Sequence, residues 1–406
     1  MVISPIRIAY IDHTGAMGGA EHLLLSLLKQ LPSEDIEPMV ICGQNGPLLE
    51  ECKKIGVNNA FLDLPKFHSI SWVVRGKKVL NPFAILVNFI RLLIASSALE
   101  KKLNPYDLDL VQTNCFFSHI YGALAAKRLK VSCVWHFHDL METNRFCGLI
   151  NWVWSKLVQS LPTWIVADSK AVLDHVDSGK KGIVIYPGVD FPSLLPKETP
   201  ALLDRLRLSG KPILVGSLGR ITYAKGLDIL IQAAAMVVQL RPEIHFVIFG
   251  GTFFGEENYK IELDQMVLRA GLSDHWHWMG YEKYAKEYLH ELDLVVFPSR
   301  REAFGLSACE AGLAGKVVIA TSVGGIPEII ENGLTGVLVP PGNAKKLAES
   351  ILYLVDHPVE AKLMGDNARE RIRNQFNLQR LKDEFLKFYR QVQKPAPKKP
   401  IQTNLP

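Results

Sequence analysis

Two cations in a glycine-bounded loop have the types and spacing needed to bind an anion. The loop reads Gly219-Arg220-Ile221-Thr222-Tyr223-Ala224-Lys225-Gly226. Arg220 can grip two phosphate oxygens in a fork, and Lys225 supplies a compact point charge. The spacing fits a diphosphate, although a solvated basic loop fits it equally well. The loop is not a P-loop, because it lacks the G-x4-G-K-[ST] pattern.

A second loop places two carboxylates around a glycine. It reads Glu302-Ala303-Phe304-Gly305-Leu306-Ser307-Ala308-Cys309-Glu310, and a helix is predicted to begin near Leu306. Gly305 lets backbone N–H groups approach a ligand, and a helix N-terminus binds phosphate. Glu302 and Glu310 can then hold hydroxyl groups on either side of the phosphates. The alternative is a helix with ordinary acidic residues near its start, which the helix dipole favours anyway.

The first half of the chain offers weaker candidates. Gly18 and Gly19 open a tight turn before a helix, and free N–H groups in such a turn suit an anion, although a plain turn is also possible. His138 is the next-to-last residue of the run Val134–Asp139, at a predicted strand end, where a single histidine is commonly structural. His136 is the competing histidine, and we expect it to face the other side of the sheet.

Apolar runs alternate with helical patterns in both halves, which predicts an α/β fold with two parallel sheets. The predicted units are 1–190, 191–376, a final helix at 377–392 and a disordered tail at 393–406. Phe191–Leu208 is expected to be a linker. Two doubly wound, Rossmann-like units create a cleft, and ligands in such sheets bind at the carboxyl ends of strands. Both charged loops follow predicted strands and therefore face that cleft.

The bulk composition predicts a two-domain globular protein. The chain has 406 residues, 48% of them apolar and 21% charged, with a net charge of +5. The body of the chain has no cluster of basic residues, which argues against a nucleic-acid partner. Six cysteines without a C-x-x-C pair indicate reduced thiols, and no signal peptide is visible. We therefore expect a cytoplasmic protein.

Val79–Ala98 is apolar and about long enough to span a bilayer. It contains Pro82, Asn88 and Arg91, and basic residues flank both of its ends. We interpret it first as a buried or groove-lining helix. An interfacial amphipathic helix and a true membrane span are the alternatives. The interfacial alternative would place the protein at the inner face of the membrane.

The motifs together resemble the glycosyltransferase family 4 group, which has the GT-B fold. The resemblance covers nearly the whole chain and is strongest over 212–342. It rests on the G-R…K-G loop, on the E-x7-E pattern of Glu302 and Glu310, and on the G-G-x-P-E that ends at Glu328. The turn at Gly18 and the H-D at His138 match the family more loosely. Lys316 replaces the usual proline, and Tyr186 introduces a P-G-V-D turn without the usual asparagine.

The resemblance implies a retaining glycosyltransferase of polysaccharide biosynthesis, with a nucleotide-sugar donor and an unidentified acceptor. Arg220 and Lys225 would hold the diphosphate, and Glu302 and His138 would lie beside the transferred sugar. The remaining donor contacts would come from the glycine turns, the backbone near the nucleobase and the residue that holds the ribose: Gly18, Gly19, Gly219, Gly280, Tyr281, Phe304, Gly305, Leu306 and Glu310. The helix at 377–392 would cross back onto the first unit. No cofactor is implied.

Asp107-Leu108-Asp109 matches the D-x-D metal signature of another glycosyltransferase fold. It precedes a predicted strand and therefore lies at the wrong end of the sheet for a cleft site. Because the Arg/Lys pair already supplies positive charge, we expect activity without a divalent metal ion.

Two other functions remain possible from the sequence. A nucleotide-sugar epimerase could use the same cleft without an acceptor. A non-catalytic sugar- or lipid-binding relative would normally have lost one of the charged groups, whereas this chain retains Arg220, Lys225, Glu302 and Glu310.

Overall fold

The computed structural model describes residues 4–32, 34–69, 71–74, 77–140, 148–176, 182–190, 201–252, 255–282 and 285–393. The strands in this part of the chain are β1 (Ile6–Asp12), β2 (Ile36–Cys42), β3 (Asn58–Phe61), β4 (Ser71–Val74), β5 (Lys77–Leu80), β6 (Leu110–Thr113), β7 (Ser132–Phe137), β8 (Trp164–Ala167), β9 (Gly182–Val184), β10 (Ile213–Leu218), β11 (Ile244–Phe249), β12 (Trp276–Gly280), β13 (Leu294–Phe297), β14 (Val317–Thr321) and β15 (Val337–Val339).

The helices are α1 (Gly19–Gln30), α2 (Pro47–Lys54), α3 (Pro82–Leu103), α4 (Phe116–Leu129), α5 (Gly148–Ser160), α6 (Lys170–Val176), α7 (Leu202–Leu206), α8 (Leu227–Leu240), α9 (Glu257–Arg269), α10 (Leu306–Leu313), α11 (Ile326–Ile329), α12 (Ala344–Asp356), α13 (Pro358–Gln375) and α14 (Leu378–Val392). Short 3-10 helices cover Tyr223–Lys225 and Ala285–Glu291.

Two parallel sheets form the frame of the molecule. The first has seven strands in the order β3-β2-β1-β6-β7-β8-β9, and the second has six in the order β12-β11-β10-β13-β14-β15. β4 and β5 form a separate antiparallel pair. Central strands such as β7 and β13 are buried along their whole length, because helices cover both faces of each sheet. The α/β, GT-B class expected from the sequence is confirmed.

Four apolar cores fill the two faces of each sheet. The last helix, α14, belongs to the core of the first sheet although it follows the second sheet in the chain. Leu381, Phe385 and Tyr389 are buried there beside residues of α1 and β1. The chain therefore crosses back, and its C-terminal helix completes the first domain.

Of the readings expected for Val79–Ala98, the buried helix is wrong. The helix in this region is α3, and only 28% of its most apolar 18-residue window is buried. By length and composition it could cross a membrane. Small residues such as Ala95 and Ser96 pack inward, while large apolar residues such as Phe83 and Leu86 face outward. Composition alone does not reveal this, since apolar side chains surround the helix.

The linker expected at Phe191–Leu208 also needs correction. Residues 191–200 lie outside the described residues, but Leu202–Leu206 forms the short helix α7, in which Leu202 is buried. The Leu202 N–H donates to the Glu291 carboxylate over 2.6 Å, which ties this turn to the second domain. The predicted tail lies outside the described residues from 394 onward.

Candidate active site between the two sheets

The two charged loops of the second domain lie side by side because they follow neighbouring strands. One follows β10 and the other follows β13, and these strands pair in parallel. Their carboxyl ends therefore meet at the same edge of the sheet. A pocket opens there, lined among others by Ser217, Gly219, Arg220, Lys225 and Ser299.

Lys225, which lines this pocket, forms an ion pair with Glu302. The Lys225 Nζ donates to Glu302 Oε2 over 2.5 Å, and the Ser299 hydroxyl donates to the same oxygen over 3.2 Å. Both side chains of the ion pair are largely shielded from solvent. Arg220 lies in the same loop with an exposed side chain. The structure thus joins two predicted site residues from different loops, a contact that the motifs did not specify.

Arg300 holds the two loops together, and sequence reasoning missed it. Its guanidinium forms two hydrogen bonds of 2.6 Å to the Asp228 carboxylate and lies 4.1 Å from the centre of the Tyr223 ring. Its backbone N–H donates to the Ala224 carbonyl over 2.7 Å. The Asp228 carboxylate raises the pKa of Arg300, so the guanidinium keeps its charge. A planar fork of this kind fixes the position of the loop that carries Lys225.

Two glycines let the backbones approach closely. Gly226 has φ +67°, and a Cβ at this position would lie 2.1 Å from the Pro298 carbonyl oxygen. Gly305 has φ +113° and directly precedes α10, which begins at Leu306. The first N–H groups of α10 therefore point toward the cleft. Gly219 also has a positive φ, of +152°.

The Phe304 side chain does not line the pocket. Its ring is buried and lies 5.6 Å from the ring of Phe376 and 6.0 Å from that of Tyr186. The prediction of a donor contact at Phe304 therefore applies at most to its backbone. An aromatic residue beside a glycine in a motif gives no signal of which way its ring will turn.

Glu310 is buried on α10 and forms an ion pair with Lys286. Burial raises the pKa of Glu310, although Lys286 opposes this rise. Lys286 lies on the 3-10 helix Ala285–Glu291, and no motif pointed to it. Gly280 and Tyr281 lie nearby at the end of β12, and Tyr281 is strongly exposed. This end of the second sheet thus offers a carboxylate, a cation and an exposed aromatic ring.

In the first domain, His136 and His138 share one carboxylate. His136 Nε2 lies 2.9 Å from Asp168 Oδ1, and His138 Nδ1 lies 2.8 Å from Asp168 Oδ2. The two imidazole rings are 3.9 Å apart. The expectation that His136 faces the other side of the sheet is therefore wrong, because side chains two positions apart on a strand share a face. Sequence reasoning missed Asp168, which follows the next strand, β8.

These three groups have coupled pKa values. Burial lowers the pKa of His138, but the negative charge and hydrogen bond of Asp168 outweigh burial and raise it. Burial and then the charge of His138 lower the pKa of His136 to about 4, although Asp168 opposes this fall. Burial raises the pKa of Asp168, but the two histidines hold it below its ordinary value. The site therefore has an ionised Asp168, a neutral His136 and a protonatable His138.

A buried hydrogen-bond chain leads from the last helix to this cluster. The Tyr389 hydroxyl of α14 donates to Gln112 Oε1 over 2.8 Å, and Tyr10 donates to Tyr389 over 3.1 Å. Gln112 Nε2 lies 3.4 Å from His136 Nδ1. Because the Gln112 amide donates to Nδ1, His136 has the tautomer with its proton on Nε2, and Nε2 donates to Asp168. The chain of bonds thus orients the residues behind His138.

Several buried polar atoms at this edge have no hydrogen-bond partner within the described part of the chain: His138 Nε2, Asp12 Oδ2 and Asn114 Nδ2. Asp12 ends β1, Asn114 follows β6 and His138 follows β7, so all three lie at the carboxyl edge of the sheet. Burial and, to a smaller extent, the nearby Glu21 together raise the pKa of Asp12 from 3.8 to about 7. Buried polar groups normally require partners, so this set fits a hydroxylated ligand.

The turn at Gly18 and Gly19 differs from its prediction. The Gly18 N–H donates to Glu21 Oε2 over 2.8 Å, and α1 begins at Gly19. This N–H group is therefore satisfied by the chain itself rather than open to an anion. The turn still lies at the carboxyl end of β1, beside the edge that carries Asp12.

The two domains touch next to these residues. The Ser169 hydroxyl donates to the Ala303 carbonyl over 2.6 Å, and Arg301 donates to the Leu140 carbonyl. Glu328 accepts hydrogen bonds from the Lys170 and Ala171 N–H groups over 2.9 and 3.0 Å. Leu140 is two residues from His138, and Arg301 precedes Glu302. The contacts thus bring the histidine side of the cleft to the Lys225–Glu302 side.

Asp107 and Asp109 lie at the opposite end of the first sheet. Asp107 forms an ion pair of 2.7 Å with Arg7, and the Asp109 carboxylate accepts from the Arg7 N–H over 2.9 Å. Both contacts occur where β1 and β6 begin. These carboxylates support the start of the sheet and do not face the cleft.

Comparison with known proteins gives the family. Residues 17–191 match the model of Glycosyltransferase Family 4, and residues 199–371 match that of Glycosyl transferases group 1. The chain is a GT4-type glycosyltransferase. It is 24% identical over 406 residues to the N,N'-diacetylbacillosaminyl-diphospho-undecaprenol alpha-1,3-N-acetylgalactosaminyltransferase of Campylobacter jejuni, covering 95% of this chain and 99% of that protein.

Shorter alignments reach higher identity. A lipopolysaccharide core biosynthesis mannosyltransferase of Rhizobium leguminosarum is 30% identical over 53% of this GT4-type chain and 63% of its own length. A D-inositol 3-phosphate glycosyltransferase of Arthrobacter is 32% identical over 50% of this chain and 47% of its own length. These alignments thus span about half to two thirds of each relative.

A solved structure of similar fold is Anabaena HepE in complex with UDP. It aligns with a TM-score of 0.80 and 23% identity, covering 95% of this chain and 100% of that one. The likeness establishes that this GT4-type enzyme has the GT-B fold.

Proposed function

We propose that this protein transfers a sugar from a UDP- or GDP-sugar to an acceptor hydroxyl with retention of the anomeric configuration. The acceptor would be a glycan, a lipid-linked saccharide or a small molecule. The observation that carries the proposal is the ion pair between Lys225, which lines the pocket, and Glu302, which precedes the start of α10. A cation, a carboxylate and a helix N-terminus suit a sugar diphosphate, with the charge on one side and the hydroxyls on the other.

The donor would lie along the edge of the second sheet. Arg220 and Lys225 would neutralise the diphosphate, and the first N–H groups of α10 at Gly305 and Leu306 would bind its oxygens. Glu310 would accept from the ribose hydroxyls. The nucleobase would lie near Gly280 and Tyr281. The order β12-β11-β10-β13 supports this placement, because it puts the base contacts and the phosphate contacts along one edge. The HepE complex with UDP supports a uridine donor.

Binding of the diphosphate would require Lys225 to change partner. Lys225 is paired with Glu302. A diphosphate would offer Lys225 a stronger acceptor, which would release the Glu302 carboxylate toward the sugar hydroxyls.

The transferred sugar would lie between Glu302 and His138. His138 Nε2 is buried without a partner in the described part of the chain, so it can bind a sugar hydroxyl. The acceptor hydroxyl would attack from the same face that the leaving phosphate occupies, and the phosphate would take the acceptor's proton. Arg220 and Lys225 would stabilise the charge that develops on the leaving group.

We further propose that the reaction needs no divalent metal ion and takes place on the cytoplasmic side, at the inner face of the membrane. Positive charge from Arg220, Lys225 and the start of α10 supports the first point. The free, mostly buried cysteines among the described residues support a reducing compartment. The exposed apolar surface of α3 supports the membrane location.

Replacement of Lys225 tests the proposal. We expect Lys225→Ala to lower the rate of nucleotide release from the donor by about 10²–10³-fold, because one preorganised contact to the leaving group is lost. The Lys211→Ala variant is the matched control, since this lysine is exposed at the other end of β10. Near-normal turnover of Lys225→Ala would contradict the assignment. Loss of activity in EDTA, restored by manganese, would contradict metal independence.

A further inference from the structure

Helix α3 carries an apolar stripe that the other described residues leave exposed. Phe83 is 71% exposed, Leu86 58% and Phe89 57%. Ile90, Leu93 and Ile94 continue the stripe with exposures between 37% and 55%. These positions recur every three to four residues and so form one face of the helix. A soluble monomer rarely exposes a contiguous apolar face of this size.

The start of this helix lies at the edge of the sheet where the cleft opens. Arg128 near the end of α4 donates to Ser96 Oγ over 3.1 Å, which aligns the two helices near their C-terminal ends. Nearer the N-terminus of α3, Asn88 exchanges two hydrogen bonds with the backbone of His68. The residue before His68, Phe67, stacks on Phe117. Phe117 is the second residue of α4, which follows the carboxyl end of β6. The first two turns of α3 are therefore level with the rim of the cleft.

Neighbouring helices extend the apolar surface along the same rim. Phe116 begins α4 and is 41% exposed, and Trp152 near the start of α5 is 60% exposed. The Phe116 ring stacks on Trp154 at 4.7 Å, which connects the two helix starts. Exposed aromatic residues beside an apolar helix are typical of surfaces that lie at a membrane–water interface.

The sequence around α3 has the charge that an anionic surface attracts. Residues 64–99 contain five basic residues and no acidic residue: Lys66, Arg75, Lys77, Lys78 and Arg91. This local excess equals the net charge of the whole chain, +5. Lys101 and Lys102 follow and are exposed at the end of α3. Basic residues next to an apolar helical face favour binding to anionic lipids.

We infer that the exposed face of α3, with Phe116 and Trp152, is a docking surface for a membrane with anionic headgroups. The face lies in the headgroup region with its apolar side chains directed into the acyl chains. Because the first turns of α3 are level with the cleft rim, docking presents the first domain's side of the cleft to the membrane surface. This inference about the acceptor rests on the proposed function. The acceptor is then an amphiphile whose lipid part remains in the membrane while its hydroxyl enters the cleft.

The same observations favour a lipid surface over a second copy of this chain. Two α3 faces brought together would place their basic flanks against each other, which costs free energy. A membrane with anionic lipids pairs with both the apolar stripe and the basic flank. The surface thus has a partner of defined chemistry.

Vesicle flotation tests the inference directly. We expect the protein to float with vesicles of equimolar phosphatidylcholine and phosphatidylglycerol, and to bind pure phosphatidylcholine vesicles more weakly. The double variant Leu86→Ser/Phe89→Ser should lower the partition coefficient about 100-fold, because two large side chains no longer enter the acyl region. The matched control is Leu240→Ser/Leu268→Ser, which removes two similarly exposed side chains from α8 and α9 of the second domain.

Three outcomes would overturn the inference. The first is that the wild type binds neither vesicle type. The second is that the wild type and the α3 variant bind equally. The third is that the wild type is a dimer that does not bind vesicles, while the α3 variant is a monomer. A thermal shift with UDP on each variant separates this test from the proposed function. Unchanged UDP binding with lost flotation supports the docking surface, whereas a loss of both identifies misfolding and directs the test to the single variant Phe83→Ser.

Discussion

The two histidines and the carboxylate between them have different roles in the site. Asp168 is ionised and receives a hydrogen bond from each ring, so it fixes the orientation of both. The ring of His136 is neutral. Gln112 fixes the orientation of this ring, and the hydrogen bond from His136 in turn orients Asp168. His138 Nε2 is buried and has no hydrogen-bond partner within the described part of the chain. Asp168 is thus a positioning residue, while His138 is the group that would touch the sugar.

Replacing Asp168 should change a property of His138 that folding alone does not control. In Asp168→Asn we expect the pKa of His138 to fall, because the carboxylate is what raises it against the effect of burial. His138 should then lose its proton at a lower pH than in the wild type, as followed by NMR of the imidazole ring. Turnover should fall about 10²-fold, since the ring is less firmly oriented.

The matched control for this prediction is UDP binding, which depends on the other domain. Asp168→Asn should keep the wild-type thermal shift with UDP. An unchanged titration of His138 in a folded Asp168→Asn variant would show that the carboxylate does not control this histidine.

Some of these residues could be found from the sequence and others could not. Arg220, Lys225, Glu302 and His138 stand in motifs, because the loops that carry them are continuous in the chain. Asp168, Arg300 and Lys286 act through contacts with distant segments, and no local pattern records such contacts. The wrong prediction of the face of His136 had a simpler cause. Side chains alternate along a strand with a period of two, so His136 and His138 lie on the same face.

Among the elements, α14 shows how a distant segment completes a core. Its apolar face, with Leu381, Phe385 and Tyr389, packs on the first sheet, and its polar face carries charged residues. The alternation of apolar and charged residues predicted this helix. The partner of its apolar face follows only from the tertiary fold.

Phe385 should contribute strongly to the stability of the protein. The side chain is fully buried in the core of the first sheet. We expect Phe385→Ala to lower the free energy of unfolding by about 3–5 kcal/mol, as measured by urea denaturation. Lys387→Ala, two residues along on the exposed face, should change it by less than about 0.5 kcal/mol. Equal effects of the two substitutions would show that α14 does not support this core.

The apolar content of helix α3 does not determine whether the helix is buried, interfacial or membrane-spanning. The run Val79–Ala98 is apolar on every side, so its composition fits a core helix, an interfacial helix and a membrane span alike. Which side chains face inward depends on the packing against α4, where Ala95 and Ser96 allow a close approach. The exposed stripe therefore emerges only from the folded domain.

At the scale of the whole molecule, two parallel sheets face each other across a cleft, and each supplies one half of the site. The first provides buried polar atoms that have no partner among the described residues, and the second provides a cation, carboxylates and a helix start. Glu328 links the halves by accepting from Lys170 N–H, Ala171 N–H and the Tyr186 hydroxyl. The two-domain plan follows from the alternation of strands and helices, whereas these contacts across the cleft had no signature in the chain.

The most direct test of the central claim is a thermal-shift comparison of the protein with UDP, GDP and ADP. A nucleotide at 100 times its dissociation constant should stabilise the folded protein by about 2.7 kcal/mol. We predict a clear rise in melting temperature with one of the three, most strongly with UDP, and a much smaller rise in Lys225→Ala. An unchanged melting temperature with all three nucleotides would contradict a nucleotide-sugar site at Lys225 and Glu302.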